Sequence, residues 1–320
     1  MSIAAELHCH TVHSDGTFQP AELAESARAN GLDLIALTDH NTMSGYADLA
    51  ETGLPFIRGI EWTTFYGHML VLGQKRFVDW RDASPDTIDA KIAEVHRAGG
   101  LAGIAHPFQQ GSPMCTGCYW DFRVKDWSQA DYMEVWHGSE FPPLSRHNVR
   151  AKRMWLELLN RGFHIAPVHG RDWHRDAYSP DPQACTYLDT DIADEEHALE
   201  AIARGRTQIS LGPELSWRLE GDAGVSVPGD TVTAGAYDLI ASVDMERRKE
   251  VWQRYDIRPD RFVVYGTGET VLATLPADGG DARVWLHGGY CRAELLGTAR
   301  GKECAIALTA PIYCEAPTAL

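Results

Sequence analysis

The chain has 320 residues, which suffice for one large α/β domain or for such a domain with a smaller appendage. Its 44% hydrophobic and 23% charged residues are typical of a protein with a buried core. A formal net charge of −16 argues against nucleic-acid binding through a basic surface, because phosphate contacts need clustered Lys and Arg. This charge does not exclude a small phosphorylated substrate, whose charge a metal centre would neutralise locally.

The N-terminal segment has neither a positively charged region nor an apolar run, and no stretch approaches the roughly 18 apolar residues of a membrane span. We therefore expect a cytoplasmic protein without membrane association. Cys115 and Cys118 form the only close pair among seven cysteines, and no second pair completes a zinc site. We interpret them as reduced loop thiols.

Residues 1–212 alternate strand and helix signals. Helices are expected to begin near Pro20, Ser84, Ser145 and Glu195. Strands are expected at Ala5–His10, Leu34–Thr38, Pro55–Ile60, His68–Leu72, Leu101–Ala105, Tyr132–Trp136, Phe163–Val168 and Arg206–Leu211. Repeated β-α units predict an α/β fold with a parallel sheet or barrel and outer helices. Chemistry then belongs at the carboxyl ends of the strands.

The pattern changes after Gly212-Pro213. Short, partly alternating segments separated by Gly, Asp or Pro predict an antiparallel β-sandwich-like domain over residues 213–320. Its strands are expected at Tyr237–Val243, Arg261–Tyr265, Val271–Leu275, Arg283–Leu286, Cys291–Leu295 and Cys304–Leu308. Met245–Tyr255 is compatible with a helix or a charged excursion. This tail could shape a pocket, mediate homo-oligomerisation or cover one face of the first domain.

Metal-ligand residue types recur at the predicted strand ends. His8 and His10 are two residues apart, as are Asp172 and His174, and side chains at i and i+2 of a strand share one face. Both members of each pair can therefore reach one ion. Cys9 lies between two ligands and should face the helices. Nine nitrogen and oxygen donors together predict a polynuclear metal centre: His8, His10, Asp15, His40, Glu61, His68, His106, Asp172 and His174.

The segments that carry these donors resemble the PHP superfamily (polymerase and histidinol phosphatase). LHCHTVHSDGT, LIALTDHNT, GIEWTT and IAHP match its first four motifs in order, and HGRDWH stands at the fifth, so the resemblance covers about residues 6–212. GHMLVLG and the tail ending in ALTAPIYCE resemble the carbaryl-hydrolase-like (CehA) branch, although Ala310 replaces the Asn usual before Pro-Ile-Tyr.

The resemblance implies a distorted (β/α)7 barrel and an assignment of ligands. His8, His10, Glu61 and Asp172 would hold a first metal, and Glu61 would bridge to a second metal bound by His68 and His106. A third position, which relatives fill or leave empty, would be surrounded by Asp15, His40 and His174. The cofactors would be two or three divalent ions, and the N/O donor set does not choose among Zn, Mn and Fe.

The residues and the resemblance together lead us to expect a metal-dependent hydrolase that uses a metal-bridging hydroxide, with Glu61 and Asp172 as metal-binding catalytic residues. A phosphoesterase acting on a small phosphorylated substrate is favoured. The main alternative is a carboxyl or carbamate ester hydrolase of the carbaryl-hydrolase type, and a non-catalytic regulatory metal-binding barrel is a remote one.

Five further residues are candidates for supporting roles. His13 and His137 could transfer protons, and His169 could contact substrate. Arg171, which replaces a small residue of the motif, could bind a substrate oxyanion or pair with an acidic neighbour. Asp39 could orient a ligand imidazole.

Overall fold

A computed structural model describes residues 2–111, 119–138, 141–176 and 181–316. Cys115 and Cys118 lie outside these ranges. In the first part of the chain the strands are β1 (Ile3–Cys9), β2 (Leu34–Leu37), β3 (Phe56–Thr64), β4 (Gly67–Leu72), β5 (Leu101–Ala105), β6 (Tyr132–His137), β7 (Ala166–Gly170), β8 (Cys185–Leu188) and β9 (Thr207–Ser210). The helices are α1 (Pro20–Ala29), α2 (Tyr46–Ala50), α3 (Ile88–Arg97), α4 (Arg146–Asn160) and α5 (Glu195–Ala203).

The later part is almost entirely strands. They are β10 (Glu214–Gly221), β11 (Gly224–Ser226), β12 (Thr231–Thr233), β13 (Gly235–Asp244), β14 (Ile257–Gly266), β15 (Thr270–Pro276), β16 (Gly279–Leu286), β17 (Gly289–Ala299), β18 (Lys302–Thr309) and β19 (Ile312–Glu315). One short helix, α6 (Lys249–Trp252), lies within the segment whose state the sequence left open. All six strands predicted for the tail are present.

The first seven strands form a mixed rather than a parallel array. β1, β2 and β3 run parallel, as do β5, β6 and β7, but β4 is antiparallel to both β3 and β5. The hairpin arises because two residues separate β3 from β4, whereas a parallel connection needs a dozen residues or more.

The sheet is mixed α/β but does not close. The hydrogen-bonded order runs β12-β19-β17-β18-β9-β8-β1-β2-β3-β4-β5-β6-β7, and β7 forms no ladder with β1 among the described residues. Beyond the end of β7, backbone hydrogen bonds join Trp173 to His8 and His10, around the isolated bridge between Cys9 and Trp173. The expected (β/α)7 barrel is therefore not shown. The physical reason is that β8 runs antiparallel along the other edge of β1 and continues the sheet into the tail.

The tail builds its core between two sheets. Alternating residues of β10, such as Leu215, Trp217 and Leu219, are buried against side chains of β14, including Phe262 and Val264. The large sheet passes from β9 to β18 without interruption. The division at residue 212 consequently stays a prediction, because one sheet runs through it.

Helix α1, which follows the first loop of the candidate site, begins at sequence signals that are typical of helix N-termini. α1 begins with Pro20 in its first turn and with a capping box formed by Gln19 and Glu22. Its inner face packs on β1, so that Cys9 lies among Phe18, Leu23 and Ala24, as its alternation with the two histidines predicted.

Candidate metal centre

Nine side chains converge where the strands of the first part end. All of the residues predicted as ligands fall into groups whose donor atoms lie within 4.8 Å of one another. One group is His8, His10, Glu61 and Asp172, a second is Glu61, His68 and His106, and a third is His10, Asp15, His40 and His174. A fourth group, His8, His106, Glu134 and His137, includes two residues that were not predicted as ligands. The structure thus brings the predicted set together, and it adds His10 to the third group.

The first group has the dimensions of a tetrahedral metal site. His8 Nε2 lies 3.3 Å from both Glu61 Oε2 and Asp172 Oδ1, and His10 Nε2 lies 3.4 Å and 3.0 Å from the same atoms. Ligand bonds of 2.0–2.1 Å around a tetrahedral ion separate its donors by about 3.3 Å. These four buried atoms have no hydrogen-bond partner within the described part of the chain. Orphaned acceptors aimed at one point fit a divalent cation.

Glu61 joins the first two groups because its two oxygens face different imidazoles. Oε1 lies 2.8 Å from His68 Nδ1 and 3.0 Å from His106 Nε2, while Oε2 faces the first group. Burial alone would raise the pKa of this carboxyl, but the surrounding imidazoles, with His8 foremost, hold it well below its usual range. The carboxylate is therefore ionised and can bridge two ions.

The third group is the most exposed part of the cluster. Asp15 Oδ1 lies 3.3 Å from His40 Nε2 and 3.0 Å from His174 Nε2, and the Asp15 side chain is 60% exposed. Burial would lower the pKa of His40, but its interactions with the carboxylates of Asp15 and Glu61 raise that pKa to about 10. The cluster opens to solvent on this side, while His8, His10 and Glu61 form its buried floor.

Two of the candidate ligand residues have left-handed backbone conformations. His106 has φ 25° and Asp172 has φ 55°, values uncommon for residues other than glycine. β7 ends at Gly170, so Asp172 and His174 do not form the strand pair that their spacing predicted. The turn separates them, and Asp172 joins the first group while His174 joins the third. Such strain is frequent at functional sites.

Only one of the four residues predicted for proton transfer or substrate contact adjoins the cluster. His137 Nε2 lies 3.4 Å from Asp172 Oδ2, and its ring is 4.5 Å from that of His106. His13 points elsewhere: its Nδ1 and Nε2 contact Ser44 and Asp48 at 2.9 Å and 3.0 Å. The loop after β1 turns this ring toward α2, so a role for His13 in proton transfer is not supported.

Arg171 and His169 are placed differently from the prediction. The Arg171 guanidinium stacks 4.2 Å from the ring centre of Trp173 and lines a 600 Å³ cavity with residues of α1 and α6, which is not where an oxyanion held by the cluster would lie. His169 is 1% exposed, and burial lowers its pKa to about 3. Since His169 Nδ1 lies 3.2 Å from the Trp136 carbonyl, the ring belongs to the interior and is not available to substrate.

Asp39 supports the first loop and not an imidazole. Its carboxylate accepts hydrogen bonds from the backbone N–H and hydroxyl of Thr11, at 2.7 Å and 2.8 Å, and from the Ser14 hydroxyl at 2.6 Å. These bonds fix the loop that carries Asp15, so Asp39 acts on the third group through the backbone.

Two buried acids were missed by the sequence argument. Glu134 Oε1 lies 2.8 Å from His8 Nδ1, and Glu6 Oε1 accepts from the backbone N–H groups of His8 and Arg171. Burial raises the pKa of Glu6 to about 7. Each acid interrupts an otherwise apolar buried strand, and that interruption is a signal that sequence could have provided, because buried acids need partners.

The candidate donor cluster lies on a mixed α/β scaffold, and sequence comparison names the family. Residues 6–78 match the model of the PHP domain. An uncharacterised protein of Methanocaldococcus jannaschii is 30% identical over 126 residues, which are 35% of this chain and 70% of that protein. The chain belongs to the PHP domain family.

Two functionally described relatives match more locally. A 5'-3' exoribonuclease of Haemophilus influenzae is 43% identical over 63 residues, 18% of this chain and 23% of that protein. A 3',5'-nucleoside bisphosphate phosphatase of Chromobacterium violaceum is 37% identical over 76 residues, 21% of this chain and 27% of that protein. The chain thus spans about a quarter of each relative's length.

A solved structure shows that the whole fold has precedent. A two-domain protein of Bacteroides vulgatus containing a predicted PHP-like metal-dependent phosphoesterase superposes with a TM-score of 0.53 over 98% of this chain and 95% of that one, at 14% sequence identity. No helix in the described ranges has both the length and the apolar character needed to cross a bilayer.

Proposed function

We propose that this protein is a metal-dependent phosphoesterase acting on a small phosphorylated substrate. The observation that carries the proposal is the convergence of His8 Nε2, His10 Nε2, Glu61 Oε2 and Asp172 Oδ1 as buried atoms without hydrogen-bond partners. Bound divalent ions would supply Lewis acidity at the phosphoryl group and lower the pKa of water. The phosphatase relative supports a phosphoester substrate.

Each part of the cluster has a distinct task in this proposal. Glu61, His8 and His10 form the buried floor, with His8 on β1, Glu61 on β3 and His10 one residue beyond the end of β1. Asp15, His40 and His174 form the exposed rim, where the substrate's phosphate would enter. His137 adjoins Asp172 at the edge of the cluster, and we assign it the delivery of a proton from Nε2 to the leaving oxygen.

The tail resembles the carbaryl-hydrolase-like branch, and this favours a carboxyl or carbamate ester as the second candidate substrate. Arg171 gives no preference between a phosphoester and a carboxyl or carbamate ester, because its guanidinium stacks on Trp173. A nucleic-acid substrate is disfavoured by the net charge of −16, although the exoribonuclease relative makes RNA a necessary comparison.

The decisive experiment compares initial rates on a chromogenic aryl phosphate and a neutral aryl ester, after the enzyme is stripped and reloaded with Mn, Zn or Fe. A nucleoside 3',5'-bisphosphate and a short RNA extend the series. We expect metal-dependent release from the phosphate substrates and none from the ester. Release from the ester alone would contradict the proposal and favour the second candidate.

His137→Gln sharpens the assignment of the proton donor. Its loss of rate should be larger for an alkyl phosphate, whose leaving oxygen needs a proton, than for an aryl phosphate with an acidic leaving group. His13→Gln is the matched control, because His13 lies in the loop after β1 with both ring nitrogens bound to Ser44 and Asp48. Equal losses on both substrates would remove His137 from this role.

A further inference from the structure

Glu134 lies at the centre of β6 and contacts candidate ligands of two groups. It is fully buried, its Oε1 lies 2.8 Å from His8 Nδ1, and its Oε2 accepts a 2.7 Å hydrogen bond from the backbone N–H of His106. His8 belongs to the first group and His106 to the second. One carboxylate therefore contacts a member of each group, through His8 Nδ1 and through the backbone N–H of His106.

We propose that Glu134 is a positioning residue that sets the tautomer of His8 and holds His106 in register with it. This inference rests on the proposed metal-dependent function. An ionised carboxylate only accepts hydrogen bonds, so His8 must carry its proton on Nδ1. The Nε2 lone pair is then directed at Glu61 Oε2 and Asp172 Oδ1, each 3.3 Å away.

The backbone leaves space for this contact at Gly170. A Cβ at that position would lie 1.7 Å from Glu134 Oε1 and 2.8 Å from the Cβ of His8. Gly170 precedes Arg171 and Asp172 at the end of β7. Any side chain there would push the carboxylate off His8, so glycine is required by the Glu134–His8 pair and not by a turn.

The geometry places a proton between Glu134 and His8 on the imidazole. Glu134 Oε2 already accepts from the backbone N–H of His106, and Oε1 faces His8 Nδ1 at 2.8 Å. Because an imidazole is a stronger base than a carboxylate, both carboxylate oxygens act as acceptors.

Glu134→Gln tests the proposal because a side-chain amide cannot replace both acceptors. If the amide oxygen faces the His106 N–H, the NH₂ group faces His8 Nδ1, and the imidazole proton must move to Nε2. If the amide is reversed, its NH₂ group opposes the His106 N–H. We expect Zn²⁺ affinity, measured by competition with a chromogenic chelator, to fall about 10–100-fold.

Glu6→Gln is the matched control. Glu6 is also a buried acid of the same sheet, but its Oε1 alone accepts from the backbone N–H groups of His8 and Arg171, at 3.0 Å and 2.8 Å. A glutamine oxygen can accept both bonds. We expect its Zn²⁺ affinity to stay within about threefold of the wild-type value, since the His8 tautomer is unaffected.

A measurement on the wild-type chain avoids any folding defect in the variants. In ¹⁵N-histidine protein loaded with Zn²⁺, long-range ¹H–¹⁵N correlations should show His8 with its proton on Nδ1 and the metal on Nε2. The reverse arrangement, or Glu134→Gln with wild-type affinity and ion count, would overturn the inference while leaving the proposed function intact. A wild-type chain that binds no Zn²⁺, Mn²⁺ or Fe²⁺ would overturn both.

Discussion

Two buried clusters of charged side chains lie in different parts of this protein, and they are balanced in opposite ways. In the tail, Arg292 is fully buried and pairs with Glu294 and with Glu269, while Lys152 pairs with Glu294 at 2.5 Å. Two cations thus face two carboxylates. The candidate metal centre gathers Asp15, Glu61, Glu134 and Asp172, and the ion-pair partners described for these four are imidazoles.

The two clusters differ in the source of the positive charge that balances their carboxylates. The Arg292 cluster carries its own cations, and the guanidinium also lies 4.9 Å from the ring centre of Tyr265. The candidate metal centre has four carboxylates and no Lys or Arg among their ion-pair partners, and four of its inner atoms have no hydrogen-bond partners within the described part of the chain. Burying such charges is unfavourable without positive charge nearby, which protonated imidazoles such as His40 or bound cations would supply.

The largest expected effect comes from removing one ligand of the metal centre. Asp172→Asn should reduce turnover more than about 100-fold, because even the loss of a residue that only orients a ligand lowers activity 10–100-fold. The fold should persist, since one buried charge is removed from an unbalanced cluster. Rates and far-UV circular dichroism check this together. Wild-type rates with normal metal content would remove Asp172 from the ligand set.

In the Arg292 cluster, removal of one charged side chain should lower stability and leave turnover unchanged. Arg292→Met leaves Glu294 buried with Lys152 as its remaining cation, and we expect a loss of about 3–5 kcal/mol in the free energy of unfolding. Denaturant titration measures it. Adding Glu294→Gln should recover part of the loss, and an Arg292→Met protein of unchanged stability would show that this network contributes little.

Metal removal should show whether the two clusters contribute to stability independently. An ion present at about 100 times its dissociation constant stabilises the folded chain by about 2.7 kcal/mol, so a chelator should lower the melting temperature of the wild type. The same decrease is expected in Arg292→Met, because the clusters share no side chain. A decrease in wild type that disappears in this variant would show that they are coupled.

The smallest effect is expected from a half-exposed ion pair. Its contribution to stability gives a reference value against which the effects in the two clusters can be compared. His96 Nε2 lies 2.9 Å from Asp131 Oδ2, and this hydrogen bond raises the pKa of His96. Its contribution to stability is complete below the unfolded-state pKa of about 6.5 and is lost as pH rises through the folded-state pKa. His96→Gln should therefore lower stability at pH 6 by less than about 1 kcal/mol, and by less still at pH 9. Thermal melts at both pH values test it.

Much of the site could be predicted because ligand residue types recur beside strand signals. The spacing of His8 and His10, and the positions of His40, Glu61 and His106 after apolar runs, predicted a shared edge, and the structure gathers these residues there. Helix α1 and the six predicted tail strands followed from local punctuation by Pro, Gly and Asp. These features depend on neighbouring residues, so a single sequence contains them.

Side-chain direction was decided by the tertiary structure. Arg171 and Asp172 are neighbours, yet a left-handed residue sends one carboxylate into the cluster while the guanidinium stacks on Trp173. His13 and His169 have the same residue type as the ligands, but a loop turns one toward α2 and the sheet buries the other. Spacing does not specify these rotations, because they depend on contacts with residues distant in sequence.

Sequence by itself determined the inventory of candidate donors, the order of most strands and the net charge of −16. Only the tertiary structure decided that β4 runs antiparallel to its neighbours and that the sheet stays open beside β1. It also decided that Glu134 contacts His8 and that Gly170 leaves space for this contact. The reason is the range of the interactions. Periodicity and capping act over a few residues, whereas the Glu134–His8 contact joins positions 126 residues apart and exists only once the sheet has formed.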